Sequence, residues 1–289
     1  MGRLTKLQSD LRRIGSAYSG KWTYALTDLG SGEHIGFDED DVMPTASLIK
    51  VPVLVALYEA AHEGSISLTD RIRYADEHRC LGSGVLIHLA PGVVMAVRDA
   101  AVLMIIISDN VATNMMIDLV GLEQVNETMR RLGLNKTTLF QRLGDTKAGL
   151  DARKMSVSTA REMARLLELI ARHEAVSPEA SEDMLRIMRR QDYRHELSRL
   201  LPWNELNRLD NHKENWVAEK GGSFLNGIRA SGAIFHGPRG TFVLASFCEG
   251  GTRPGSGRNA EGNELLGELG NAAWRQLAAA EASDMVDLS

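Results

Sequence analysis

Strand-like patterns fall near the two ends of this 289-residue chain, and the long stretch between them reads as helix. At the N-terminus, Leu4, Leu7, Leu11 and Ile14 recur at helical spacing and predict an amphipathic helix over 3–14. Residues 22–28 (WTYALTD) change to a strand pattern, Leu29-Gly30-Ser31-Gly32 turns the chain, and His34–Phe37 returns it. Thr45-Ala46-Ser47 opens an apolar helix to about His62, with Pro52 near its start, where a missing N–H costs least. Further helices are expected over 97–107, 111–120, 125–132, 159–172 and 178–190, the last opened by Ser177 as cap and Pro178 as first residue. Strand patterns resume over 216–219, 228–235 and 241–248, and a final helix covers about 261–280. Strands segregated from helices argue an α+β fold. The expected architecture is one antiparallel sheet flanked by the N- and C-terminal helices, plus an all-helical lobe. That makes a single domain, 1–289, with an α+β lobe (about 1–45 plus 212–289) and a helical lobe (about 46–211).

Three short segments carry chemistry. Ser47-Leu48-Ile49-Lys50 places a hydroxyl and an amine three residues apart at a helix start, where both lie on one face. A serine that attacks a carbonyl needs a base beside it and donors for the oxyanion. Lys50 serves as that base only if desolvation or a second cation lowers its pKa. The apolar surround (Val51, Val53, Leu54, Val55) and a nearby Lys220 would supply both. Ser108-Asp109-Asn110 sits between two apolar helical runs, with Ser108 read as proton shuttle, Asn110 as substrate contact and Asp109 as an inward structural partner. Lys220-Gly221-Gly222-Ser223 follows the strand pattern of 216–219. Lys220 would meet a substrate carboxylate, Gly222 would allow close approach, and the N–H groups of Ser47 and Ser223 would form the oxyanion hole. Each segment alone has a plainer reading: a helix cap and a surface lysine, an interhelical break, a common turn. Their ordered combination favours the chemical one.

With S-x-x-K, S-D-N and a variant of K-T-G in order, the chain resembles the class A β-lactamases of the β-lactamase and penicillin-binding protein superfamily. The resemblance spans about residues 20–280 and is dense in PTASLIKVPVLVALYEA, IISDNVATNMMIDLVG and MSVSTAREMARLLELI. It implies a serine hydrolase that forms an acyl-enzyme at Ser47 with a β-lactam or related amide or ester, with Lys50, Ser108, Asn110 and Lys220 completing the site. Two departures qualify it. The family's deacylating glutamate, followed four residues later by asparagine, is missing: in the corresponding stretch no glutamate precedes Glu162. Asp145 is the nearest replacement, with Asp151 behind it, and Asp145 reads equally as a loop cap or a partner of Arg142. Gly221 also replaces the hydroxyl residue that would contact a substrate carboxylate, at a cost of about 1.5–3 kcal/mol of binding. Slow deacylation is therefore expected, and a penicillin-binding peptidase, an esterase or a non-turnover ligand sensor stands as the alternative.

Composition narrows the rest. The net charge of −5, with no basic run, argues against nucleic acid and reads as simple solubility. Neither a membrane span nor a signal-peptide core is visible, so the sequence as written is expected to be cytoplasmic, or periplasmic or secreted if a leader was removed. Cys80 and Cys248 read as two free thiols in a reducing compartment, with a disulfide as the alternative. The eight histidines are scattered without ligand spacing, so no metal and no cofactor are expected. The partner expected is a small-molecule substrate and the expected state a monomer. Met104, Met115, Met116 and Met129 read as core filler, Arg186–Arg199 as a solvated helix face, and Trp203 and Trp216 as core rather than cleft.

Overall fold

The protein is described by a computed structural model covering residues 3–144, 151–203, 206, 215–255 and 259–280. Five strands, β1 (Lys21–Asp28), β2 (His34–Phe37), β3 (Trp216–Ser223), β4 (Arg229–Gly237) and β5 (Gly240–Glu249), form one antiparallel sheet. Its order is β2-β1-β5-β4-β3, so strands from both chain ends share one sheet and β3 lies at an edge. Eight helices are seen among the described residues: α1 (Arg3–Gly15), α2 (Lys50–His62), α3 (Val97–Ile106), α4 (Asn110–Val120), α5 (Leu122–Arg131), α6 (Ala160–Ala171), α7 (Pro178–Arg189) and α8 (Glu261–Leu277). None is long and apolar enough to cross a membrane.

Successive strand residues point to opposite faces, and both faces of this sheet are covered. Tyr24, Leu26, Phe235, Phe242 and Leu244 pack on one side with Leu7 and Leu11 of α1 and Leu266, Leu269 and Trp274 of α8. Ala25, Ile234, Val243, Ala245 and Phe247 face the other way, into the large cluster built on α2, α4, α6 and α7. That cluster explains α2, which is buried from Lys50 to Ala60 and carries no polar stripe, as a central helix must. The four methionines expected in the core are fully buried there.

Three details differ from the sequence reading. Ser47 lies in a 3₁₀ turn, Ala46–Ile49, and α2 begins only at Lys50. β3 runs on through Lys220, Gly221 and Gly222 to Ser223, because pairing with β4 carries residues of poor strand propensity. The stretch Arg186–Arg199 is not a solvated helix face. α7 stops at Arg189, and both Arg189 and Glu196 are buried where the following chain folds back toward β3.

Candidate active site

The Ser47 turn is braced from behind. Met43–Pro44 pairs with Ser156–Ser158, Thr45 Oγ1 lies 2.5 Å from Ser156 Oγ, and Leu48 N–H donates to Thr45 O at 3.0 Å. Ala46 is held at φ +44°, a left-handed conformation that costs a non-glycine residue about 1–3 kcal/mol and survives only where neighbours impose it. In a 3₁₀ turn residues i and i+3 eclipse, so Ser47 and Lys50 project to the same side.

Lys50 is fully buried, and its Nζ lies 2.7 Å from Ser108 O, 3.0 Å from Ser108 Oγ and 2.8 Å from Asn110 Oδ1. Burial pushes its pKa well below the ordinary lysine value and the Lys220 charge pushes it further, against the opposing pull of Asp109 and Cys80. Of the three partners only the Ser108 hydroxyl can also donate. An uncharged Lys50 therefore keeps every contact by donating to two oxygens and accepting from Ser108. The lysine, read alternatively as a surface residue, is the core of the site.

Ser108 is a second left-handed non-glycine residue, at φ +55°, and its carbonyl accepts from both Lys50 Nζ and Ser83 Oγ (2.6 Å). Asp109 caps α4 and points inward as expected: Oδ1 accepts from Ala112 N at 3.0 Å, and Oδ2 from Val85 N at 2.7 Å and Leu86 N at 2.9 Å. One fully buried carboxylate thus fastens a helix start to the neighbouring loop. Asp109→Ala should lower stability by about 3 kcal/mol, since three backbone donors lose a charged acceptor at once. Urea unfolding checks this, and a loss under about 1 kcal/mol would deny the anchor. Asn110, expected to hold substrate, has both ends of its amide engaged within the protein, Oδ1 with Lys50 and Nδ2 with Leu81 O at 2.9 Å.

The third segment enters on the edge strand. A Cβ on Gly222 would stand 2.6 Å from Ser47 N and 2.8 Å from Leu48 N, so β3 presses backbone to backbone on the serine turn. Phe224 N–H donates to Ile228 O at 3.0 Å. Antiparallel ladders alternate inward and outward residues, so the N–H groups of Gly221 and Ser223 face away from β4, toward the open edge. Lys220 is fully buried and donates to Gly221 O. Burial lowers it to about 8, while the carboxylates of Glu196 and Glu219 pull it upward. Glu219 is raised by its own burial, and the hydroxyls of Ser198 and Ser231 that donate to it oppose the rise.

Sequence reading missed several contributors. Gly82 and Gly84 have φ of +119° and +115°, and a Cβ on either would collide with Asn110 or Asp109. The Gly-Ser-Gly run was the available signal. Asn114 accepts from Leu143 N at 2.9 Å and donates to Leu143 O and His78 O, fixing the approach to residue 145. Asp145 itself lies outside the described residues. Arg142, its suggested partner, meets Asp118 at 3.2 Å and donates to Glu77 O. Asp151 is exposed and accepts from Arg153 N, and Glu162 accepts from Lys136 N and Thr137 Oγ1; neither carboxylate is seen hydrogen-bonded to Ser47. Cys80 and Cys248 are buried free thiols. No cluster able to hold a metal ion occurs among the described residues.

A model of the beta-lactamase enzyme family matches residues 6–277. Over nearly the whole chain the structure is similar to a β-lactamase from Sphaerobacter thermophilus (TM-score 0.82, 28% identity, 93% of this chain and 96% of that one). It is also similar to PBP-A (TM-score 0.79, 27% identity, 94% and 96%). In sequence it is 28% identical over 130 residues to the β-lactamase regulatory protein BlaB of Streptomyces cacaoi and 26% identical over 146 residues to the D-alanyl-D-alanine carboxypeptidase DacF of Bacillus subtilis. Those matches span only 42% and 36% of the two relatives' own lengths.

Proposed function

The chain belongs to the β-lactamase enzyme family, and from that premise we propose that it is a serine hydrolase working through an acyl-enzyme on Ser47. Lys50 carries the reading: a buried amine, its pKa pushed down by burial and by Lys220, three residues from the serine and bonded to Ser108. Neutral Lys50 takes the Ser47 Oγ proton as Oγ bonds to the carbonyl carbon of an amide or activated ester. The resulting oxyanion is received by the Ser47 and Ser223 N–H groups. As the bond to the leaving nitrogen or oxygen breaks, Ser108 passes its hydroxyl proton to that atom and regains one from Lys50. Water then attacks the ester carbonyl carbon as one of its protons passes to Lys50; the acyl–Oγ bond breaks, Lys50 returns that proton to Ser47 Oγ, and the acyl group leaves with the water's hydroxyl as a carboxylic acid. A β-lactam is one fitting donor, since a PBP-A mutant forms an acyl-enzyme with penicillin G.

Deacylation is the slow step in this reading. Among the described residues no carboxylate is hydrogen-bonded to Lys50, so in this reading Lys50 alone serves as base for the attacking water. The same feature, with the BlaB similarity, favours a second reading in which lasting acylation is itself a signal. Intact-protein mass after mixing with 4-nitrophenyl acetate or benzylpenicillin tests both. The expected result is an adduct absent from Ser47→Ala that clears about 10²-fold or more slowly than it forms. Equal labelling of Ser47→Ala overturns both readings, fast clearance overturns slow deacylation, and an adduct that never clears selects the signal.

A further inference from the structure

Glu196 has no part in the chemistry above, yet it lies against the strand that carries it. Its side chain is buried at 6% exposure, and Oε2 has no hydrogen-bond partner among the described residues. A Cβ on Gly221 would stand 2.4 Å from that Oε2 and 2.6 Å from the carboxyl carbon. The carboxylate therefore occupies the space into which any side chain at position 221 would project, and glycine is the residue that admits it. Three other charged groups share this neighbourhood. Glu219 is held by Ser198 and Ser231, Lys220 donates to Gly221 O, and Arg229 is engaged by Asn263 Oδ1 and by the carbonyls of Phe224, Ile228 and Gly255. With both acids ionised and Lys220 protonated, two cations face two carboxylates, and Lys220 offers no uncompensated charge to an incoming anion.

Resting on the serine-hydrolase reading, we propose that Glu196 is a specificity-determining residue. Its carboxylate beneath Gly221, with Oε2 left without a partner, turns the Lys220 end of the site against acyl donors that bring a carboxylate there and toward uncharged or cationic ones. Like charges brought together in a poorly solvated site repel strongly. Burial and then Glu219 raise Glu196 to about 7, with Lys220 and Arg229 opposing, so it is largely ionised at pH 8.

Benzylpenicillin and its methyl ester differ only in that carboxylate, and their acylation rates at pH 8, read by intact mass, test the proposal. The wild type should react with the ester at least as fast as with the acid. Glu196→Gln should raise the acid-to-ester rate ratio by about tenfold, or about 1.4 kcal/mol. A wild type that prefers the acid, or a ratio unchanged in Glu196→Gln, overturns the proposal. The wild-type comparison stands even if the variant fails to fold. 4-Nitrophenyl acetate separates the two levels. If it acylates Ser47 while neither penicillin does, the hydrolase reading survives and the role of Glu196 falls. If none of the three labels Ser47, both fall.

Discussion

Lys50→Met will slow acylation of Ser47 by about 10²–10⁴-fold while leaving the protein at least as stable as the wild type near pH 7. The rate falls because no other described group replaces the amine that is bonded to Ser108 and three residues from Ser47. The stability follows from the sign of the pKa shift. Lys50 titrates in the folded protein well below 10.5, so between its folded value and 10.5 the unfolded chain binds more protons. Stability must then rise with pH across that window, and below it the buried lysine works against folding. Methionine fills similar space without a charge. It leaves Asn110 Oδ1 without its lysine donor, while Ser108 O keeps Ser83 Oγ at 2.6 Å. Urea unfolding of both proteins at pH 7 and pH 10 should show the wild type gaining on the variant as pH rises. Acylation retained in Lys50→Met would remove the lysine from proton transfer. A variant far less stable at pH 7 would mean that Lys50 is held as a paired ammonium.

Gly222→Ala will lower kcat/KM for an activated ester by about 10²–10³-fold, the scale of losing one oxyanion donor. The new methyl would meet Ser47 N at 2.6 Å and Leu48 N at 2.8 Å, which are backbone atoms of a braced turn and not the free end of a side chain. Either the turn or β3 must retreat, and with it the spacing between the Ser47 and Ser223 N–H groups. Gly255→Ala is the matched control, because nothing lies within 4 Å of its added carbon, and surface changes of this kind are usually worth under about 0.5 kcal/mol. Activity retained in Gly222→Ala would place the oxyanion donors elsewhere.

The α+β organisation was legible because helical spacing in Leu4, Leu7 and Leu11 and the strand runs of 22–28 and 241–248 are local patterns, set by which faces must be buried. Ser47, Lys50, Ser108 and Asp109 were legible for a related reason: hydroxyl, amine and cap need particular residue types at fixed short spacing. The contacts of Asn110 and the place of Glu196 were not. Asn110 reads as a substrate contact, and only the fold brings Lys50 and Leu81 O to the two ends of its amide. Glu196 sits in a charged stretch that reads as solvated, and only the fold lays it beneath Gly221.

From the sequence alone came the element order, the candidate nucleophile and its candidate base, and the glycine at position 221. Tertiary structure alone decided that Lys50 is buried against a serine 58 residues away, that β3 reaches Ser223 along the sheet edge, and that a carboxylate lies beneath Gly221. The division has a physical cause. Helical and strand periods, caps and i,i+3 pairs act within a few residues, whereas desolvation and Coulomb interaction depend on distance through space. The proposed roles of Lys50 as base and Glu196 as filter exist only once the chain has folded other charges around them.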